Sequence, residues 1–201
     1  MKIGITGANG FIGESLSDEL SRRGFLVKRF VREKVKASDN IFEINDPSSR
    51  EQWKDKLLDV SCLIHCAGIA HELFKSDNFL ENEYENINVK LPSLVLQEAV
   101  LQGVKRFIFI SSSKVLGEST NEFAFKISDE PKPTGIYARS KLKAELALEE
   151  LATKHGIELV IIRPSLVYGP GVGANFGNLI KLSLLGLPLP FKSLNNRRSF
   201  V

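Results

Sequence analysis

The sequence predicts an α/β protein built on a doubly wound parallel sheet with helices on both faces. Three observations carry this expectation. Strand-like and helix-like segments alternate along most of the chain. The strand-like segments are continuous apolar runs, the pattern of parallel strands buried on both faces. The first strand–helix junction is rich in glycine. The length of 201 residues, with 43% hydrophobic and 25% charged, suits one such domain and part of another.

Each element has its own signal. Residues 2–6 form an apolar strand that ends in glycines. In residues 11–23, "FIGESLSDELSRR", Phe11, Ile12, Leu16 and Leu20 recur at helical spacing, and Gly24 stops the helix. "FLVKRFV" (25–31) is a second strand and "NIFEIN" (40–45) a third. "PSSREQWKDKLLD" (47–59) reads as a helix opened by Pro47 and the serines. "VSCLIHCAG" (60–68) is the fourth strand. A long helix follows over 82–102 and ends at Gly103. "KRFIFISS" (105–112) is the fifth strand, "YARSKLKAELALEELATKHG" (137–156) a helix ended by its glycine, and "IELVIIRPS" (157–165) the sixth strand.

Composition excludes several classes. The net charge of +3 is too small to argue for nucleic acid. Cys62 and Cys66 lie in an apolar run and read as small core residues. His65 and His71 are near them, but "HELFK" lacks the second histidine of a zinc helix, so no metal is expected. No apolar run reaches the length of a membrane span. Met1 leads straight into a strand without a charged leader, which points to a cytoplasmic protein.

"GITGANGFIGESL" places Gly7, Gly10 and Gly13 between a strand and a helix, with Phe11 and Ile12 opening the helix. Glycines there let the backbone turn sharply and approach a pyrophosphate, whose charge meets the helix amides. This is the fingerprint of a dinucleotide-binding Rossmann domain. An acidic residue gripping the ribose 2′-hydroxyl is the usual next signal. At the end of strand two stand Val31 and Arg32, with Arg29 nearby. An arginine pairs with a 2′-phosphate, so NADP is favoured over NAD. Glu43, followed by Ile44, is placed to contact the adenine. Cys66, Ala67 and Gly68 lie along the cofactor. From Pro170 the chain becomes rich in Gly, Pro and Asn. Residues 1–169 are therefore read as the dinucleotide-binding domain, and 170–201 as the start of a substrate-binding region. "RRSFV" ends without a turn or cap, so a longer protein is expected, with most of a carboxyl-terminal substrate domain absent here.

"FIFISSSKVLG" puts three hydroxyls at the carboxyl end of strand five, the edge where open parallel sheets gather ligands. "YARSK" sets Tyr137 and Lys141 four apart on one helix face. A phenol with a pKa of about 10 is a poor base at neutral pH. A nearby cation, Lys141 plus an oxidised nicotinamide, favours the phenolate. Tyr137 can then exchange a proton with a substrate oxygen that a serine orients.

In this order the motifs resemble those of the short-chain dehydrogenase/reductase superfamily. The likeness is to its extended branch, the NAD-dependent epimerases, dehydratases and reductases of nucleotide sugars. "TGANGFIG", "HCAG", "NINVK", "ISSSKVLG", "YARSK", "RPSLVYGPG" and "NRRSFV" carry the resemblance over essentially the whole chain. It implies that Tyr137 is the acid/base, that Lys141 is its partner on the nicotinamide ribose, and that Ser112 is the catalytic hydroxyl. It further implies that Asn88 and Pro164 lie near the cofactor, and that Ser113, Asn175, Phe176 and Arg197 face a nucleotide-sugar substrate, expected to be a UDP-sugar. A homodimer is also implied. Dehydratases of the branch place Asp and Glu after the catalytic hydroxyl, whereas Ser113 and Lys114 stand here, and Leu116 replaces a common tyrosine. The expected activity is hydride transfer at the sugar C4 in surface-polysaccharide synthesis. A UDP-hexose 4-epimerase and a UDP-4-keto-6-deoxyhexosamine 4-reductase are both open. A non-catalytic dinucleotide sensor is the alternative outside this class, and it would have lost Tyr137 or Lys141.

Overall fold

A computed structural model describes residues 1–33, 39–70, 77–120, 123–185 and 197–201. Six strands form one sheet: β1 (Lys2–Thr6), β2 (Leu26–Val31), β3 (Ile41–Glu43), β4 (Cys62–His65), β5 (Arg106–Ile110) and β6 (Glu158–Ile162). All pairings are parallel, in the order β3-β2-β1-β4-β5-β6. The chain works outward from β1 to β3 and then returns to the other side of β1 as β4. The connections therefore diverge between β1 and β4, where a crevice opens at the carboxyl ends of the strands.

The alternation of side chains explains the two layers. Ile3 and Ile5 of β1 join Val27, Val31, Cys62 and Ile64 on one face, with Leu16 and Leu20 of α1 (Phe11–Arg22) packed against them. Gly4 points to the other face, where a Cβ would sit 2.8 Å from Leu63 Cδ1 and 3.0 Å from Phe30. That face holds Phe30, Leu63, Phe107 and Phe109. They are covered by Val95, Leu96 and Ala99 of α3 (Leu91–Leu101) and by Ala144 and Leu148 of α4 (Gly135–His155). Helices thus cover both faces, and the predicted fold class holds. Each fully buried large apolar side chain contributes about 1.5–3 kcal/mol.

Two expected helices differ from the sequence reading. Over 47–59 only one 3₁₀ turn forms, Arg50–Trp53. Asp55 and Asp59 adopt left-handed φ of 58° and 64°, which ends any helical run. The backbone polar groups are met otherwise. Gln102 accepts from the Leu57 N–H at 2.8 Å and donates to the Trp53 carbonyl at 2.9 Å. Trp53 itself donates to the Pro47 carbonyl at 2.9 Å. The helix expected over 82–102 instead comprises α2 (Asp77–Tyr84), a π-helical segment (Glu85–Lys90) and α3. At the far end of α4, Gly156 takes φ +69° and its N–H reaches the Ala152 carbonyl at 2.9 Å, the left-handed stop the sequence signals.

Met1–Arg163 and Pro164–Val201 are two compact units; the sequence set the boundary between residues 169 and 170. Within the second unit lie α5 (Ala174–Leu184) and a parallel bridge between Leu166 and Phe200. Tyr168 N–H donates to the Val201 carbonyl at 3.0 Å, and Val201 N–H to the Leu166 carbonyl at 3.1 Å. No helix among the described residues is long and apolar enough to cross a membrane.

Candidate active site

The glycine loop is built from its own backbone. Gly7 has φ +63°, and a Cβ there would come 2.8 Å from the Ala67 nitrogen. A Cβ on Gly13 would strike the Gly7 carbonyl. Neither position tolerates a side chain, so the loop stays tight against β4. Gly10 is the N-cap of α1, and no side chain caps that end. The first amides of α1, those of Phe11, Ile12 and Gly13, are left for an anion, and the helix dipole favours one.

This loop opens onto a cleft of about 380 Å³ at the switch point, lined by Gly7, Asn9, Arg32, Ile44, Cys66, Ala67 and Gly68 among others. Its inner end is apolar, where Phe30, Pro47, Trp53 and Leu91 line it as well. Ile44 is 2% exposed, and its N–H pairs with the Val31 carbonyl at 2.8 Å. Glu43 ends β3 with its side chain exposed. With the Asn45 amide turned to donate, Asn45 reaches Glu43 Oε1 at 2.8 Å and the Arg32 carbonyl at 3.0 Å. The two arginines of the β2 end part company. Arg29 is bound to Asp18 of α1 at 2.7 Å, whereas Arg32 lines the cleft and has no ion-pair partner among the described residues.

The cleft floor is a group of buried polar side chains. His65 is 1% exposed and packs along the rings of Phe107 and Phe109. Its Nδ1 meets Thr6 Oγ1 at 2.9 Å, and the same hydroxyl accepts from the Ala67 N–H. The direction of the Thr6–His65 bond follows the histidine tautomer, and Nε2 is buried with no partner among the described residues. Burial, helped by Lys141, lowers the His65 pKa to about 3, so the ring is neutral. Burial pushes the Cys66 thiol up to about 12. No cluster of metal-ligating side chains occurs among the described residues; His71 lies outside them.

Tyr137 and Lys141 both stand on α4. The Lys141 ammonium donates to the Ile110 carbonyl at 2.9 Å and sits 4.7 Å over the Phe109 ring. Burial lowers its pKa to about 8 against the opposing pull of Cys66 and Glu145. Burial raises the Tyr137 pKa, a hydrogen bond with Ser112 pulls it back, and Tyr84 adds to the rise. The Tyr84 and Tyr137 rings meet edge to face at 6.3 Å. In this state the Lys141 ammonium is engaged by the Ile110 carbonyl, and burial dominates at the phenol.

Among the three serines, Ser111 turns inward to Glu145 and Ser112 toward Tyr137, while Ser113 opens a 3₁₀ turn (Ser113–Val115). Ser112 also accepts from the Lys114 N–H at 3.3 Å. Asn88, on the π segment, spends its amide on protein. It accepts from Ile69 N–H at 2.9 Å and donates to the Ile69 carbonyl and Ser140 Oγ at 3.0 and 3.1 Å. Gly68 faces Asn88 Oδ1 and Lys141 Nζ, 3.1 and 3.4 Å from where its Cβ would be. Its bareness thus serves these side chains. Pro164, Phe176 and Arg197 belong to the second unit. There Phe176 packs on Tyr168 and Phe200, with ring centroids 6.3 and 5.4 Å away, and Arg197 is exposed. The Asn175 side chain lies outside the described residues.

Sequence reasoning missed Thr6, Asn9, Trp53, Ser140 and Glu145. Glu145 had a usable signal, since it follows Lys141 by one helical turn on the same face.

A glycine loop, a switch-point cleft and a Ser–Tyr–Lys group define a dinucleotide-dependent fold of the dehydrogenase type. Residues 3–201 match the profile described as "NAD dependent epimerase/dehydratase family", and the chain belongs to that family. A UDP-glucose 4-epimerase of Vibrio cholerae is 39% identical over 201 residues, covering 98% of this chain and 61% of the relative. MoeE5, solved with UDP-glucose and NAD, superposes with a TM-score of 0.78 at 28% identity, over 94% of this chain and 63% of that one. A UDP-glucuronic acid 4-epimerase from Bacillus cereus, solved with UDP-glucuronic acid and NAD, gives 0.80 at 26% identity, over 94% and 65%. The chain therefore spans about 61% of the length of its Vibrio relative.

Proposed function

We propose that this chain performs proton-coupled hydride transfer at C4 of a UDP-sugar, in the synthesis of surface polysaccharide. The observation that carries the reading is the placement of Ser112 beside the Tyr137 phenol, whose pKa it pulls down, with Lys141 one helical turn on, at the strand edge that also bears an uncapped glycine-loop helix. The residues fit a dinucleotide. The open amides of α1 suit its diphosphate, and the apolar inner end beside Ile44 and Trp53 suits its adenine. When bound, the dinucleotide supplies the hydride acceptor or donor.

The protein's own part is proton transfer and orientation. Ser112 holds the sugar oxygen by its hydroxyl, and Tyr137 exchanges a proton with that oxygen. Lys141 orients the nicotinamide ribose and, together with the oxidised nicotinamide, supplies the positive charge that favours a phenolate. In the reducing direction the protonated phenol, whose pKa burial has raised, is the ready acid. In the oxidising direction a phenolate must form, and the Ser112 hydrogen bond favours it.

Two reactions share this machinery. The Vibrio relative supports a UDP-hexose 4-epimerase, which oxidises C4 and reduces it on the other face with no net use of cofactor. Arg32, which lines the cleft and has no ion-pair partner among the described residues, supports NADP and hence a 4-keto reductase that consumes NADPH. Net NADPH oxidation with a 4-keto sugar nucleotide distinguishes the second from the first.

Tyr137→Phe tests the shared step. It is expected to leave dinucleotide affinity, measured by titration calorimetry, within about twofold and to lower kcat by at least ~100-fold. Turnover near the wild-type rate in that variant would contradict the acid/base assignment.

A further inference from the structure

Behind the candidate pair lies a buried carboxylate that the reaction above does not use. Glu145 is 1% exposed and sits one helical turn beyond Lys141 on α4. Arg163, just past β6, grips both of its oxygens, Nε to Oε1 at 3.0 Å and Nη2 to Oε2 at 2.7 Å. Ser111, just past β5, donates to Oε1 at 2.5 Å. A buried charge is tolerated only when it is met this fully. The ends of two strands are thereby pinned to the helix that bears Tyr137 and Lys141.

Two consequences reach the candidate pair. Successive residues of an extended chain point to opposite sides. Ser112 is extended, at φ −156° and ψ 144°, so holding Ser111 on Glu145 turns Ser112 the other way, toward Tyr137. The second consequence is electrostatic. Lys141 is faced by His65 of β4 and Cys66 just past it, by Phe109 and the Ile110 carbonyl from β5, and by Glu145 from its own helix. Burial holds the histidine neutral and the thiol protonated, which leaves Glu145 as the negative charge beside the ammonium.

We propose that Glu145 is a positioning residue for the proton-transfer pair: through Ser111 it aims Ser112 at Tyr137, and its carboxylate is the anion facing the Lys141 ammonium. This rests on the reading of Tyr137 as acid/base. Burial already lowers Lys141 to about 8, so removing the anion lowers it further, and the ammonium is lost at a lower pH.

The test is Glu145→Gln, which keeps an acceptor for Ser111 and removes the charge. The double variant Glu145→Gln/Arg163→Met also removes the guanidinium that the single change leaves unpaired, and guards against a folding failure. In both, the alkaline limb of the kcat–pH profile is expected to move down by about 1 pH unit. NMR titration of isotopically labelled lysines, with Lys141 assigned through Lys141→Arg, is expected to show the same shift. Variants that merely lose thermal stability, with the limb and the Lys141 titration unmoved, would overturn the proposal. Full turnover by Tyr137→Phe would instead remove the acid/base reading, and the lysine titration would still decide whether Glu145 governs Lys141.

Discussion

Arg29 and Arg32 lie three residues apart, and in the sequence either could meet a 2′-phosphate. Their environments separate them. Arg29 is on the β2 face that α1 covers, and Asp18 takes its guanidinium at 2.7 Å. Arg32 comes after the strand has ended and lines the cleft. Arg32→Ala is expected to weaken NADP relative to NAD by about tenfold, the value of one charged contact, and Arg29→Ala to leave the ratio unchanged. Paired titrations with the two dinucleotides check both; an unchanged ratio in Arg32→Ala would refute the preference. The serines teach a similar lesson. Sequence spacing alone could not choose among three adjacent hydroxyls, and the choice of Ser112 came from family resemblance. Here the physical reason is that Glu145 occupies Ser111. Glu145 is one of three glutamates in "AELALEEL", and its spacing from Lys141 is what sets it apart.

The strands and their order of appearance were legible because both faces of the sheet are buried, so each strand is an apolar run that periodicity picks out. Helices that depend on long-range partners were less legible. The segment 47–59 looked helical, yet its backbone is satisfied by Gln102, some 45 residues away, and by left-handed aspartates. The π segment Glu85–Lys90 has no pattern of its own, and the sequence read it as ordinary helix. It matters because it carries Asn88 inward to tie the loop after β4 to Ser140 on α4. Asn88→Ala strands the Ile69 N–H and carbonyl. It is expected to cost about 2 kcal/mol in urea unfolding and to weaken dinucleotide binding, since Ala67 and Gly68 wall the cleft. Unchanged stability would show that the clamp is dispensable.

At the scale of the molecule, the dinucleotide cleft and the Ser–Tyr–Lys group both belong to the unit Met1–Arg163. The expected substrate positions Asn175, Phe176 and Arg197 belong to Pro164–Val201. On the proposed reading, chemistry and sugar recognition come from different parts of the chain, which spans 61% of its Vibrio relative. The first unit was legible because its motifs serve a cofactor shared across the family. The central claim is that a hydride moves at the sugar C4 while Tyr137 moves the proton. The most direct measurement follows a UDP-hexose deuterated at C4 by NMR during turnover with dinucleotide. The account predicts that the label stays at C4 of the epimer or passes to the nicotinamide ring. Loss of the label to solvent would contradict it, because C4 would then be turning over by proton exchange.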